Sequence, residues 1–144
     1  GCGEGAGVPF LQARGCEDIC GVDLIDRHVK TAMERYPDIA EKFSVVSSTQ
    51  EAFDNRKFDW VVASGTWNVK TSKKYSKIEE LLNCVDSISV GIATNFTTNT
   101  IFDDDAHDFC LHIVTKLFAD KFKQWKVDHT YFDHDFSIWG MNPK

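Results

Sequence analysis

The alternation of short apolar runs with helical segments is the sequence feature that most limits how this chain can fold. Runs rich in β-branched and aromatic residues at 18–23, 42–48, 58–65 and 87–96 predict buried strands. The segments between them, 26–37 and the stretch around Ile78 to Val85, place apolar residues three and four apart, as one face of a helix requires. This order predicts an α/β fold with a mostly parallel sheet and helices on both faces.

The two ends of the pattern add detail. Segments 124–132 and 135–141 predict strands with no helix between them, so we expect an antiparallel C-terminal hairpin. A long helix is predicted at 103–122, capped by the acidic run at 103–105, with four residues facing inward: Phe109, Ile113, Val114 and Leu117. In the helix at 26–37, Asp26 is the expected N-cap, and the inward face is Val29, Ala32, Met33 and Tyr36.

The chain opens with "GCGEGAG", a glycine-rich turn followed by a short predicted helix at 6–15. In doubly wound folds such a turn joins the first, central strand to the first helix. No strand precedes Gly1, so we expect that the first strand is missing and that the chain is a fragment cut at the turn. We expect residues 1–144 to form a single domain, because this length suits one core.

Glycines 1, 3 and 5 together with Asp23 predict a site for a cofactor that contains a nucleoside. Glycines let the backbone turn tightly and approach a ligand closely, and the next helix offers free N–H groups. Asp23 follows Gly5 by 18 residues, at the end of the next predicted strand, where its carboxylate can accept hydrogen bonds from two ribose hydroxyls. The motif also fits the dinucleotide pattern G-x-G-x-x-G/A, so the pattern alone leaves the cofactor open.

Longer stretches of the chain resemble the class I, Rossmann-like, S-adenosylmethionine-dependent methyltransferases. "GCGEG" is similar to their first motif, "GVDLIDRHVKTAMERYP" to their acidic-strand motif and its helix, and "FDWVVASGTWNVK" to their fourth-strand motif. The C-terminal hairpin matches their topology, and the resemblance runs from Gly1 to the C-terminus. It implies an enzyme that transfers a methyl group from S-adenosylmethionine to an acceptor, which we expect to be a small molecule or a glycan-type metabolite.

The resemblance also implies roles for individual residues. The glycine turn would pass under the methionine part of the cofactor, Asp23 would bind the ribose, and Leu24 would pack on the adenine. Ser64 and Gly65 would line the methionine side, with Thr66 and Trp67 nearer the methyl group. Many family members carry an Asp after the third strand that contacts the adenine; this chain reads "VVSSTQE" there, so Ser48, or its neighbours Ser47 and Thr49, would have to substitute.

The acceptor side is less defined by the sequence. Asn68 follows Trp67, and Asn95 stands at the carboxyl end of a predicted strand, where ligands bind in open α/β sheets; both are candidate substrate contacts. His129, Asp133, His134 and Asp135 cluster in the C-terminal hairpin, and we interpret them as a solvated turn and not as a metal site. No catalytic residue is indicated, because an already activated methyl donor demands mainly orientation and exclusion of water.

Charge and cysteine content limit the partners. The net charge of −6 argues against nucleic acid, and no apolar run is long enough for a membrane span. Five cysteines without a C-x-x-C pair predict reduced thiols in a cytoplasmic protein. Two other functions remain open at this stage: a nicotinamide-dependent oxidoreductase, which the antiparallel hairpin disfavours, and a cofactor-binding protein without catalysis.

Overall fold

The computed structural model describes residues 1–53, 56–67, 71–98 and 108–143, without the side chains of 86–89. The chain divides into two compact units, Gly1–Asp54 and Asn55–Lys144. The predictions for Asn68 and for the acidic run at 103–105 lie outside the described residues.

The first unit is built around a two-stranded parallel sheet. Its elements are α1 (Gly7–Gln12), β1 (Gly21–Asp23), α2 (Asp26–Arg35), a 3-10 helix (Pro37–Lys42), β2 (Phe43–Val45) and α3 (Thr49–Phe53). The register pairs Gly21 with Phe43 and Asp23 with Val45. The strands at 18–23 and 42–48 are therefore present but shorter than predicted, and α3 was not predicted.

Helix α2 carries the apolar face that its sequence predicts. Val29 and Ala32 are buried against Val8 and Phe43, and Met33 and Tyr36 pack at the margin of this cluster. The prediction that Asp26 caps α2 is wrong: the N-cap position is Ile25, with no side-chain cap. Asp26 is instead the first helical residue, and its carboxylate pairs with Lys30 at 2.6 Å.

The second unit contains a four-stranded sheet in the order β3-β4-β6-β5. Its elements are β3 (Phe58–Ala63), α4 (Lys74–Ile88), β4 (Ser89–Thr97), α5 (Leu111–Lys121), β5 (Gln124–Asp128) and β6 (Asp135–Met141). Strand β4 is parallel to β3 and antiparallel to β6. The last two strands pair antiparallel to each other, as the sequence predicts.

Helix α5 differs from its prediction at its start and on its inner face. Cys110 is the N-cap in an extended conformation, so residues 108–110 precede the helix. Val114 and Phe118 are fully buried, whereas Ile113 is 40% exposed, which makes its assignment to the inner face wrong. Phe109 is buried, but it packs from the segment before the helix. Helix α5 begins at Leu111, eight residues later than predicted. Its inward-facing positions therefore differ from those expected for a helix that starts at residue 103.

The fold class is confirmed as mixed α/β with parallel strands, helices and an antiparallel C-terminal pair. A strand before Gly1 and a single domain over 1–144 both stay predictions. In the part of the chain that the structure describes, no helix combines the length and the apolar composition needed to cross a membrane.

Candidate functional site

Backbone hydrogen bonds hold the glycine turn (residues 1–5) against the carboxyl end of β1. The amide of Cys2 donates to the carbonyl of Val22 at 2.8 Å, and the amide of Gly5 closes the turn on the carbonyl of Cys2 at 3.0 Å. The amide of Gly3 donates to Oδ2 of Asp23 at 2.7 Å. The structure therefore brings together the turn and the carboxylate that the sequence placed in one site.

Two glycines of this turn are needed for different reasons. Gly5 has φ +85°, and a Cβ there would lie 2.8 Å from Cβ of Ala32 and 2.9 Å from the ring of Phe43. Gly3 has φ +54°, but a Cβ there would meet nothing within 4 Å. Positive φ favours glycine at both positions. Gly5 is thus also fixed by packing against α2 and β2, whereas Gly3 faces open space.

Asp23 is a buried carboxylate held in one orientation. It is 7% exposed. Its Oδ1 accepts a hydrogen bond from the amide of Ile25 at 2.9 Å and lies 3.7 Å from Nδ1 of His28. Burial by itself raises the pKa of Asp23, but the hydrogen bonds from Ile25 and Gly3, with the nearby N-terminal ammonium, contribute to a net pKa below its ordinary value. The side chain is therefore ionised at neutral pH.

The residues expected at the adenine lie on either side of β2 in the chain. Leu24, directly after Asp23, is 65% exposed and so has apolar surface free for a ligand. Ser48 accepts a hydrogen bond from the amide of Glu51 at 3.1 Å, and the carboxylate of Glu51 accepts hydrogen bonds from the amide and the hydroxyl of Ser47. This is a capping arrangement at the start of α3. Both serines have this structural role, and the adenine contact of Ser48 stays a prediction.

In the second unit, Asn95 connects the segment after β3 to the start of β6. Ser64 and Gly65 follow β3 directly and are exposed. The amide of Gly65 donates to Oδ1 of Asn95 at 2.8 Å, and Nδ2 of Asn95 donates to Oδ2 of Asp135 at 2.9 Å. Both ends of the Asn95 side chain are thus engaged with protein groups, and its contact with a substrate stays a prediction.

Trp67 is fixed by a short chain of hydrogen bonds and by stacking. Its Nε1 donates to Oγ1 of Thr94 at 2.7 Å, and that buried hydroxyl donates to the carbonyl of Ala63 at 2.6 Å. The indole stacks on Phe96, with ring centroids 5.9 Å apart and planes at 14°. The chain of contacts holds a half-buried indole at the carboxyl end of the parallel pair β3–β4, which is the end where ligands bind in α/β sheets.

Two buried oxygens near this end have no hydrogen-bond partner among the described residues: Oγ1 of Thr66 and Oδ1 of Asp135. Thr66 was a sequence candidate, but Asp135 was interpreted as part of a solvated turn. The structure makes Asp135 the first residue of β6, opposite Thr97 of β4. The segment "DFSIWGM" predicts the strand that Asp135 begins. Only the antiparallel pairing of that strand with β4 brings Asp135 to Asn95.

The other residues of the hairpin cluster, His129, Asp133 and His134, lie between β5 and β6. Across the described ranges, no group of three or more His, Cys, Asp or Glu side chains is arranged to hold a metal ion. His134 stacks on Phe132, with centroids 5.7 Å apart. The glycine turn, Asp23, Leu24 and Ser48 belong to the first unit, and Ser64 to Trp67 with Asn95 belong to the second.

Comparisons with known proteins place the chain. Residues 1–86 match a family model described as a methyltransferase domain. No curated protein shows a significant sequence match. Among solved structures, magnesium protoporphyrin IX methyltransferase from Synechocystis PCC 6803 with bound S-adenosylmethionine is 15% identical, with a TM-score of 0.68, over 99% of this chain and 67% of that one.

Two further solved structures give the same result. The N-terminal domain of EvdMO1 with bound S-adenosylhomocysteine is 15% identical, with a TM-score of 0.70, over 99% of this chain and 72% of that one. The PH0226 protein from Pyrococcus horikoshii OT3 is 14% identical, with a TM-score of 0.72, over 98% of this chain and 79% of that one. At these identities the likeness establishes the fold.

Proposed function

The chain belongs to the methyltransferase-domain family, and on that premise we propose which of its residues hold the cofactor and what kind of acceptor it methylates. Membership confirms the identification, made from the sequence, of an S-adenosylmethionine-dependent methyltransferase with that compound as cofactor. We place the ribose and adenine of the cofactor at the glycine turn, Asp23, Leu24 and Ser48 of the first unit; the roles of Ser64 and Gly65 on the methionine side stay predictions from the resemblance. The acceptor is a small molecule or a glycan-type metabolite, contacted by Thr66, Trp67, Asn68 and Asn95.

The hydrogen bonding of Asp23 is the observation that carries this proposal. A carboxylate has about four lone-pair sites, two on each oxygen. Each oxygen of Asp23 accepts one backbone N–H, from Gly3 or from Ile25. One site thus remains on each oxygen, and two adjacent acceptors suit the neighbouring hydroxyls of a ribose. Because the pKa is lowered, the carboxylate is charged and makes strong hydrogen bonds to such donors.

The open side of the glycine turn fits a ligand that lies against the backbone. A Cβ on Gly3 would meet no protein atom within 4 Å, so its positive φ and not packing accounts for the glycine, and the backbone there is open to a ligand. Bound S-adenosylmethionine supplies a methyl group activated by a sulfonium. The residues of the chain then have to hold the acceptor in line with that group and keep water out. Trp67, fixed by Thr94 and Phe96, offers a rigid apolar surface for this task.

The test compares two ligands on three proteins by calorimetry. S-adenosylhomocysteine should bind the wild type more tightly than its analogue without ribose hydroxyls, by about 1.5–3 kcal/mol, the scale of hydrogen bonds to a charged group. Asp23→Asn should bind both ligands with similar affinity. Asp26→Asn is the matched control, since it removes an equal charge three residues away at an exposed ion pair with Lys30. It should keep the wild-type discrimination.

Comparison of two ligands removes the main ambiguity of this substitution. Asp23 also holds the amide of Gly3, so loss of the charge could weaken binding by loosening the turn. Such loosening would reduce the affinity for both ligands and leave their ratio unchanged. A wild type that does not distinguish the two ligands would remove Asp23 from the ribose site.

A further inference from the structure

A cavity of about 440 Å³ lies within the second unit, between the end of β4, the residues before α5 and the connection from β5 to β6. Pockets that bind small molecules are typically about 300–1,000 Å³. Asp135, whose Oδ1 is buried without a partner, is one of the residues that line it. The cavity is thus large enough for a small ring-bearing molecule, and one residue of its lining has a buried oxygen without a hydrogen-bond partner among the described residues.

The apolar part of the wall contains three phenylalanines, Phe109, Phe132 and Phe136, together with Leu111. Phe109 and Phe136 are buried and both pack on Phe96, with ring centroids 5.0 and 5.3 Å away. Phe132 is 61% exposed, which is unusual for a large apolar side chain and leaves surface for a ligand to cover. Aromatic walls of this kind bind flat rings, the apolar faces of sugars, and cations.

The charged part of the wall is acidic. Asp108, Asp133 and Asp135 line the cavity, and His129 is the one basic side chain among the described residues that do so. Lys74 approaches from outside this lining: its Nζ donates to the backbone carbonyl of Asp108 and lies 5.1 Å from the ring centroid of Phe109. Among the described residues, three carboxyl groups thus face the cavity against one histidine and the nearby Lys74, so the cavity disfavours anions and favours a positively charged group.

Asp135 is the residue of the lining that would contact a positively charged group. Its Oδ2 accepts a hydrogen bond from the amide of Asn95 at 2.9 Å. Its Oδ1 has no partner within hydrogen-bond distance among the described residues, since the neighbouring Tyr131 hydroxyl is paired with Ser137 at 2.7 Å. A buried carboxyl oxygen left without a hydrogen bond is costly, so a ligand that brings a donor there gains more than an ordinary hydrogen bond. An ammonium group provides both the donor and the opposite charge.

We propose that this cavity, which adjoins Asn95 through the hydrogen bond between Asn95 and Asp135, binds one part of the methyl acceptor. The acceptor is then a ring-bearing amine whose nitrogen donates to Asp135 while its ring lies against Phe132. The inference rests on the proposed function, which it narrows to one substrate class. An arylalkylamine and an amino sugar share this chemistry, and the experiment separates them.

The experiment titrates two matched sets of probes into isotope-labelled protein and follows the backbone amide resonances by NMR. One set is 2-phenylethylamine, 2-phenylethanol and phenylacetate; the other is glucosamine, glucose and glucuronate. In one of the sets, the amine should bind about five- to tenfold more tightly than the alcohol or neutral sugar, and the anion more weakly still. The shifts should centre on the amides of Thr98, Cys110 and Phe132.

Two variants test whether Asp135 causes the preference for the amine. Asp135→Asn should bring the amine-to-alcohol ratio close to one while the alcohol binds as before. Asp120→Asn, on the exposed face of α5 and outside the cavity lining, removes the same charge and should leave the ratio unchanged. Because the ratio is already measured on the wild type, the inference remains testable if Asp135→Asn fails to fold.

The outcomes separate this inference from the proposed function, since S-adenosylhomocysteine is titrated into the same samples. Binding of S-adenosylhomocysteine with no amine preference in either set, or with shifts away from the cavity, overturns the amine inference and leaves the cofactor site standing. An amine preference at the cavity without S-adenosylhomocysteine binding supports the cavity and overturns the proposed cofactor site.

Discussion

Substitution of the two inner glycines of the turn by alanine should affect the protein in different ways, although the chemical change is the same. At Gly5, φ is +85° and the new Cβ would lie within 3 Å of both Ala32 and Phe43. Both neighbours are buried members of the core of the first unit, so neither can move aside cheaply. At Gly3, φ is +54° and the new Cβ would enter open space.

The magnitudes follow from these contacts. A positive φ costs a non-glycine residue about 1–2 kcal/mol, and overpacking of a core costs about 1–3 kcal/mol. Alanine recovers about 0.4–1 kcal/mol because it restricts the unfolded chain. Gly5→Ala should therefore destabilise the protein by about 2–4 kcal/mol, and Gly3→Ala by about 1 kcal/mol or less. Gly3→Ala should instead weaken S-adenosylhomocysteine binding at least tenfold, since its Cβ occupies the side of the turn assigned to the ligand.

The assay is urea denaturation of both variants and the wild type, with calorimetric titration of S-adenosylhomocysteine on each folded protein. The m-values should agree, so that the midpoints report stability alone. Equal destabilisation by the two substitutions would refute the reasoning from packing. Unchanged binding in Gly3→Ala would refute the position of the ligand over the turn, whatever the stabilities show.

Two further predictions concern buried polar groups. Thr94→Val should destabilise the protein by about 1–3 kcal/mol in urea denaturation, because it leaves Nε1 of Trp67 and the carbonyl of Ala63 without their shared partner. Thr31→Val is the control, since the exposed hydroxyl of Thr31 donates to the carbonyl of Arg27. It should change stability by under about 0.5 kcal/mol. Asp23 has a lowered folded pKa, so its contribution to stability is complete above its ordinary pKa of 3.8 and is lost as pH falls through the folded value. The stability difference between wild type and Asp23→Asn should thus be the same at pH 7 and pH 5.5 and shrink at pH 3; a difference independent of pH would show that the carboxylate charge is not what stabilises the turn.

The sequence by itself determined the features that depend on near neighbours along the chain. The face of α2 with Val29 and Ala32 follows from helical spacing, and the strands β3 and β4 follow from runs of β-branched residues. The sequence could place the glycine turn next to Asp23 because such a turn follows one strand of a parallel sheet and Asp23 ends the next. Both therefore lie at the same edge of the sheet. The capping arrangement of Ser48 and Glu51 is also local, and its S-x-x-E spacing could have predicted α3.

The tertiary structure alone decided the contacts between residues far apart in the sequence. Asn95 reaches Gly65 and Asp135, which are 30 and 40 residues away, because β4 lies between β3 and β6 in the sheet. The order of strands in a sheet depends on how whole strands pack together. It cannot be predicted from the two residues that one hydrogen bond joins. For the same reason, Asp135 departs from the solvated turn that the sequence predicts: its pairing with Thr97 of β4 partly buries it, whereas His129, Asp133 and His134 are exposed as expected.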